Sequence, residues 1–314
     1  MAAQVVAVAL NPSVDRTVEV KNFTPGGLNR AVSSRVDPAG KAINAARVLK
    51  SFGPQVAVVG FAGGNTGSLL HESLSKEGIG DALIDISGET RINLKILDQE
   101  TGSMTEINER GPEIAQADLR RFEAKFRELC GKAKLVVLSG SLPPAVPADY
   151  YACLLDEARQ FGVRTILDAD GEALREGICK VPYAVKPNLA ELRRLTGRSL
   201  ETMQSILDAG RELTTAGISV VIISMGADGA VVMNQHQAFC AKPWKITAAS
   251  ATGAGDSMVG ALAGALLRGA ELEDIARITV AAGTVTASKQ GTQLCTKDEV
   301  LESLSFVTLR SLKG

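Results

Sequence analysis

Leu135-Val-Val-Leu138 and Thr165-Ile-Leu167 are short apolar runs, and between them Tyr151, Leu154, Leu155, Ala158 and Phe161 recur at helical spacing. Strand, helix, strand is the minimal parallel unit, because two parallel neighbours need a crossover long enough to hold a helix. The same alternation extends outward in both directions. Val5 to Leu10, Val56 to Val59, Val220 to Ile223 and Val231 to Met233 read as further strands buried on both faces, and Leu119, Phe122, Phe126 and Leu129 mark another helix. The spacing predicts an α/β fold with a mostly parallel central sheet flanked by helices.

One segment departs from this pattern. Arg91-Ile-Asn-Leu-Lys-Ile-Leu97 alternates polar 91, 93 and 95 with apolar 92, 94 and 96, which predicts a strand with one wet face. A turn at Asp98 to Gly102 and a second strand from Met104 to Asn108 complete a hairpin, and residues 14 to 35 have the same half-polar character. These segments are expected to form a discontinuous β lid, roughly 11–35 and 91–109, over a single domain spanning 1–314.

Composition removes several function classes. The chain has 314 residues, 45% hydrophobic and 22% charged, which is enough to fold by burial alone. Its 34 basic and 35 acidic residues nearly cancel, so no overall field favours nucleic acid or an anionic membrane surface. Cys130, Cys153, Cys179, Cys240 and Cys295 are scattered without a C-x-x-C pair and read as reduced, buried thiols of a cytoplasmic protein. His71 and His236, the two histidines, lie in no metal-like cluster, which argues against zinc and against Ser-His-Asp hydrolysis. No apolar run approaches the roughly 18 residues of a membrane span, and the N-terminal run reads as a first strand rather than a signal peptide.

Chemistry concentrates in a few places. In Ala251-Thr-Gly-Ala-Gly-Asp-Ser257, Gly253, Ala254 and Gly255 expose successive amides where an apolar helix begins, and Asp256 stands beside them. A carboxylate next to an anion hole suits a general base for phosphoryl transfer; read alone, it equally suits a helix cap. Pro38-Ala-Gly-Lys-Ala-Ile-Asn-Ala-Ala46 puts Lys41 and Asn44 on one helix face after Gly40, which suits either a polyhydroxylated ligand or an ordinary helix start. Lys186-Pro-Asn188 with Glu191 places an amide and a carboxylate one turn apart, where they can act on magnesium through water or serve the helix dipole. Ser224 to Gly229 reads as a turn between two strands, and Arg91 suits a bidentate contact with phosphate. Gly60 to Gly67 fails the dinucleotide fingerprint at Ala62, and no G-x-x-x-x-G-K-[ST] exists, so any use of ATP lies outside the P-loop class.

In order and spacing these motifs resemble the ribokinase-like (PfkB) carbohydrate kinases over essentially the whole chain. The resemblance rests on Leu10-Asn-Pro-Ser-Val-Asp-Arg16, Ala39-Gly-Lys-Ala-Ile-Asn44, Thr90-Arg-Ile-Asn-Leu-Lys95, Ser139-Gly-Ser-Leu-Pro-Pro144, Lys186-Pro-Asn188 with Glu191, Ser224 to Gly229, and Thr252 to Asp256. It is strongest to the branch holding 1-phosphofructokinases, tagatose-6-phosphate kinases and the minor 6-phosphofructokinase. It implies a ribokinase-like three-layer fold with a small β-sheet lid. It also implies transfer from ATP, with magnesium, to a ketohexose monophosphate. Fructose 1-phosphate is preferred over a 6-phosphate because Pro-Ala-Gly-Lys, Thr-Arg-Ile-Asn-Leu-Lys and Thr105-Glu-Ile-Asn108 look most like that branch.

By the same resemblance Asp256 is the base and Gly253, Ala254 and Gly255 form the anion hole. Asp15, Gly40, Lys41 and Asn44 hold sugar hydroxyls, with Arg91 and Ser141 near the phosphate already carried. Lys186, Asn188, Ser224, Gly226 and Gly229 line the nucleotide site, and Glu191 acts on magnesium through water. Some members add potassium near Ser250, Thr252 and Gly291, and lids often pair into homodimers. Three departures stand out: Ala39 and Ala42 around Gly40-Lys41 where the family has Gly, Asp170 where relatives have Ser, and Thr252 where close relatives have Val. A catalytically silent sugar-phosphate sensor on the same fold is the alternative of another class, against which the intact Asp256 loop counts.

Overall fold

The computed structural model describes residues 3–247, 250 and 252–312. The chain opens with β1 (Val5–Ala9), leaves it for β2 (Ser13–Val20) and β3 (Ala31–Ala39), and returns through α1 (Lys41–Ser51) to β4 (Val56–Gly63). After α2 (Gly64–Lys76) and β5 (Gly80–Ile86) come β6 (Arg91–Asp98) and β7 (Met104–Asn108). Alternation resumes with α3 (Gln116–Cys130), β8 (Leu135–Ser139), α4 (Tyr150–Gln160), β9 (Arg164–Asp168), α5 (Gly171–Ile178) and β10 (Ala184–Val185). Then follow α6 (Leu189–Thr196), α7 (Met203–Thr215), β11 (Val220–Ser224), β12 (Ala230–Met233) and β13 (Ala238–Lys242). The chain finishes with α8 (Ala254–Leu267), α9 (Leu272–Ser288), α10 (Lys297–Ser303) and β14 (Thr308–Ser311).

The large sheet runs β14-β13-β12-β11-β10-β9-β8-β1-β4-β5, parallel from β11 to β5 and antiparallel from β11 to β14. Its central strand shows why apolar runs decided the fold. Val5 and Ala7 pack into the core on one face, beside α1 and α8, while Val6 and Val8 pack into the opposite core, beside α3 and α4. Strand β1 has β4 on one side and β8 on the other, and the chain moves outward in both directions from there. Such a reversal opens a crevice at the carboxyl ends of the two strands, which is where open α/β sheets bind ligands.

Helix α8 shows no amphipathic stripe because it is buried all round, between α1 and α9. Gly260 lets α1 approach it: a Cβ there would stand 2.6 Å from the Ala45 carbonyl oxygen. Two predicted features differ in detail. Strand β4 extends beyond the expected Val59 through Gly63, and α2 begins at once at Gly64. Of the five cysteines, Cys153 and Cys179 are exposed, not buried. Cys153 lies on the outer face of α4, whose residues 151, 154, 155 and 158 take the core, and Cys179 follows the end of α5.

A separate four-stranded sheet, β3-β2-β6-β7, stands over the carboxyl end of the large one. Strand β3 continues past residue 35 to Ala39 because Val14 pairs with Pro38 and Ser13 with Ala39. The face of β6 expected to be wet is instead the covered one. Lys95 is buried, and Arg91 and Asn93 are half-buried, because they turn toward the site with Ser13, Asp15 and Thr17 of β2. The apolar alternates Ile92, Leu94 and Ile96 lie on the outer face and are themselves only half-buried.

Candidate active site

At the crevice between β1 and β8 lies a cavity of about 120 Å³, lined by Asn11, Gly40, Lys41, Arg91, Ser141 and Asp170 among others. Each arrives from a different element: Asn11 follows β1, Gly40 and Lys41 start α1, Arg91 starts β6, Ser141 follows β8 and Asp170 precedes α5. Arg91 donates from Nε to the Asn11 carbonyl oxygen at 3.2 Å and from Nη1 to the Glu109 carbonyl oxygen at 3.1 Å. Asn11 donates in turn from Nδ2 to Ser141 Oγ at 3.2 Å. Arginine and serine, predicted to share one ligand phosphate, are thus joined through a third residue that sequence reasoning did not single out. Asn11 stands in the quoted Leu10 to Arg16 motif, and its place just after an apolar strand was the available signal.

Asp15 does not reach this cavity wall. It sits on the inner face of the lid, where Oδ2 pairs with Lys95 Nζ at 2.5 Å and Oδ1 accepts from Asn93 Nδ2 at 3.0 Å. The carboxylate is buried, and so is its lysine partner.

The Asp256 side chain does not cap α8. Gly253 occupies the N-cap at φ 78°, a left-handed conformation that suits glycine, and the helix begins at Ala254. The first-turn amides of α8 therefore have no side-chain cap, and they point toward the site together with the positive end of the helix dipole. Ala251, in the same motif, lies outside the described residues. Asp256, 8% exposed, accepts at Oδ2 a hydrogen bond from Asn44 Nδ2 at 2.8 Å. Burial pushes its carboxyl up from 3.8 to about 6, against the Asn44 hydrogen bond; nearby Asp168 adds to the rise, while Lys41 and Lys186 oppose it. A carboxylate tuned to that range is poised to accept a proton near neutrality.

Between Asp256 and the start of α6 lies a buried charge cluster. Asp168, 1% exposed, is 3.0 Å from Lys186 Nζ through Oδ1, and Oδ2 accepts from Ser139 Oγ at 3.0 Å with Lys41 Nζ 4.0 Å away. Burial alone drives the Asp168 carboxyl up, but Lys186, Lys41 and the hydrogen bonds outweigh it and leave the group below its usual value. Lys41 is held well above its ordinary value by Asp168, against burial, and with help from Glu191, Asp256 and Asp170. Asp168 was missed as a site residue; its signal was a carboxylate ending an apolar strand run. The Lys186 ammonium also reaches the α8 loop, since a Cβ on Gly255 would stand 3.4 Å from it.

Asn188 and Glu191 close a capping box on α6: Asn188 Oδ1 accepts from the Glu191 amide and Glu191 Oε2 from the Asn188 amide, both at 2.8 Å. Pro187 therefore precedes the cap instead of occupying the first helical position. Glu191 keeps Oε1 free of the box, 3.9 Å from Lys41 Nζ. Ser224 forms an isolated bridge with Asn188, and Gly226 and Gly229 shape the turn into β12, so these three stand beside α6 and away from the sugar-side cavity. No cluster of three metal-ligating side chains exists among the described residues. One carboxylate oxygen of Glu191 outside the capping box fits magnesium, an ion that keeps most of its waters and needs few protein ligands.

Residues 8–299 match the pfkB family carbohydrate kinase pattern. The chain is 40% identical over 288 residues to 1-phosphofructokinase of Xanthomonas campestris pv. campestris, covering 90% of each chain. It is 35% identical over 305 residues to 1-phosphofructokinase of Bacillus subtilis, covering 97% of this chain and 99% of that one. The crystal structure of phosphofructokinase-2 from Escherichia coli in complex with fructose-6-phosphate is similar at a TM-score of 0.90 and 30% identity, covering 98% of this chain and 99% of that one.

Proposed function

Since the chain belongs to the pfkB family of carbohydrate kinases, we propose that it carries the γ-phosphoryl group of ATP to the free primary hydroxyl of fructose 1-phosphate, giving fructose 1,6-bisphosphate. The observation that carries this reading is Asp256, a buried carboxylate with its proton affinity raised to about 6, standing at the uncapped amide end of α8. Fructose 1-phosphate is chosen because the relatives at 40% and 35% identity are named 1-phosphofructokinase.

In this mechanism Asp256 takes the acceptor hydroxyl's proton as the oxygen attacks in line. The amides around Gly253, Ala254 and Gly255 hold the charge spread over the transferring phosphoryl group. Lys186 sits at the same loop and offsets charge on the nucleotide phosphates, with Asn188, Ser224, Gly226 and Gly229 forming the nucleotide's wall. Glu191 would hold magnesium through water, and the ion would supply positive charge against the charge that develops on the phosphates. Arg91 and Ser141 grip the phosphate already on the sugar and Gly40, Lys41 and Asn44 orient its hydroxyls, with Asp15 contributing from the inner face of the lid, where Lys95 holds it. The lid covers the cavity and keeps water from taking the phosphoryl group instead. Potassium is proposed near Ser250, Thr252 and Gly291 as an accessory cation.

The lid's outer face favours a homodimer, because Leu94 and Ile107 pair across β6 and β7 there, and Ile107 is 54% exposed. No helix among the described residues is long and apolar enough to cross a membrane. We place the protein in the cytoplasm, where its phosphorylated substrate and ATP are found.

The test is ADP release from purified protein with magnesium ATP, comparing fructose 1-phosphate, fructose 6-phosphate, tagatose 6-phosphate, fructose and ribose. The expected outcome is the highest kcat/KM with fructose 1-phosphate. Preference for a 6-phosphate keeps the base and anion hole but reassigns the acceptor, and silence on all five, with binding intact, makes the protein a sensor.

A further inference from the structure

The lid is tied to the rest of the protein at a point away from the sugar cavity. Arg35, on β3, donates from Nε to Asp37 Oδ2 at 2.7 Å and from Nη2 to Thr292 Oγ1 at 3.0 Å. Thr292 Oγ1 donates to the same Asp37 oxygen at 2.8 Å, closing a ring of hydrogen bonds between β3 and the loop after α9. Gly291 in that loop adopts φ 64°, a left-handed conformation that suits glycine, and the Arg35 guanidinium lies over the side where a Cβ would stand.

Each side of this ring leads to a different half of the site. On the lid side, Asp37 faces Asp15 and Arg35 faces Thr17 across the β2–β3 ladder, and Asp15 is the carboxylate held by Lys95. On the other side the loop runs on to Leu294, whose Cδ2 lies 2.8 Å from where a Cβ on Gly253 would stand. The Cys295 amide then donates to Thr286 Oγ1 at 3.0 Å, and Thr286 Oγ1 shares a 2.7 Å hydrogen bond with Ser257 Oγ. Gly253 and Ser257 bracket Asp256 and the amides around it. A continuous set of contacts therefore joins the lid sheet to the start of α8 without passing through the sugar cavity.

We propose that Arg35, Asp37 and Thr292 act as a clamp that transmits seating of the lid to the amide-lined end of α8. All three are positioning residues for phosphoryl transfer, and the proposal rests on the kinase reading above. An exposed ion pair such as Arg35–Asp37 adds little to stability by itself, so the ring's effect is geometric. The guanidinium fork holds a carboxylate and a hydroxyl at once in fixed directions, and displacing one displaces the other. Binding that seats the lid then favours the phosphoryl-transfer end, and by linkage nucleotide binding favours a seated lid to the same degree.

The experiment measures the dissociation constant of fructose 1-phosphate by calorimetry, with and without a saturating non-hydrolysable ATP analogue and magnesium. The ratio of the two constants is the coupling. Arg35→Ala and Thr292→Val are each expected to reduce that ratio about fivefold, the scale of one hydrogen bond, with the double variant no lower than either single. Arg35→Lys keeps the charge but loses the fork, so it is expected to behave as Arg35→Ala while melting within about 2 °C of the native protein. A native ratio of one, unchanged ratios in both single variants, or rescue by Arg35→Lys each overturn the clamp. Native turnover of fructose 1-phosphate with unchanged coupling in the variants removes the clamp alone, whereas a native protein that turns over none of the five sugars removes the kinase reading.

Discussion

Asn44 on α1 donates a 2.8 Å hydrogen bond to Asp256 on α8, so the residue expected to orient the sugar also touches the residue expected to deprotonate it. The bond stabilises the ionised carboxylate and opposes the burial that pushes its proton affinity up to about 6. Replacing Asn44 with Leu removes the donor, so the Asp256 carboxyl should titrate higher still. Catalysis needs the ionised form, and kcat falls as pH drops through that value. The acidic limb of the kcat profile should therefore move to higher pH in Asn44→Leu; an unmoved limb would show that Asp256 is not the group titrating.

Asp256→Asn should separate chemistry from stability. Turnover should fall roughly 10²-fold or more, while phosphosugar and nucleotide still bind, because an amide cannot accept the proton. The same change should stabilise the fold near neutral pH. The native carboxyl binds its proton more tightly folded than unfolded, so between about 4 and about 6 the folded state holds more protons and stability falls as pH rises. Above that window the penalty is complete, up to about 3 kcal/mol, and the Asn variant escapes it. Thermal melts at pH 8 should favour the variant, and the gap should close toward pH 4.

Arg91 is tied to Asn11 and to the lid backbone at Glu109, and through Asn11 to Ser141. Truncating it to Ala should raise the KM for fructose 1-phosphate by about tenfold or more, as loss of a charge-assisted phosphate contact does, with little change in the KM for ATP. Equal effects on the two constants would remove Arg91 from the substrate phosphate.

At Gly260 helices α1 and α8 pack with no room for a Cβ against Ala45 and Val48. Gly260→Ala should cost about 1–3 kcal/mol of stability by overpacking and force the helices apart. Because that contact also sets Asn44 against Asp256, kcat should fall in a variant whose substituted residue touches no ligand. Chemical denaturation with single-turnover kinetics checks both effects.

Charging the outer face of the lid should reveal what covers it. Leu94→Glu or Ile107→Glu should convert a dimer to a monomer in light scattering, since a carboxylate has no partner in an apolar contact. Equal mass before and after the change would leave that face outside any interface.

The large sheet was legible because its strands are buried on both faces, and such strands announce themselves as continuous runs such as Val5 to Leu10. Strand β10 was not legible: it is two residues long, Ala184–Val185, and tertiary pairing with β9 and β11 alone makes it a strand. The lid's alternation was readable but its direction was not, because period two gives two faces without saying which is covered. Lys95 and Asp15 pair inside, so their face is the buried one. At the site, glycines at a helix start pointed to Asp256, the Lys186-Pro-Asn188 helix start to Glu191, and the alternating lid strand to Arg91. Asn11 and Asp168 act by holding other side chains, and such roles arise only from proximity across the fold.

Strands β2 and β6 lie side by side and parallel, yet Ser13 pairs with Arg91 across 78 positions of chain. No local turn can bring them together; β1, β4 and β5 must first assemble and deliver both segments to the same end of the large sheet. The lid should then form only after those three strands have paired and open before them under native-state hydrogen exchange. A chain in which β1, β4 and β5 have not yet paired therefore has nothing to hold the lid over the crevice.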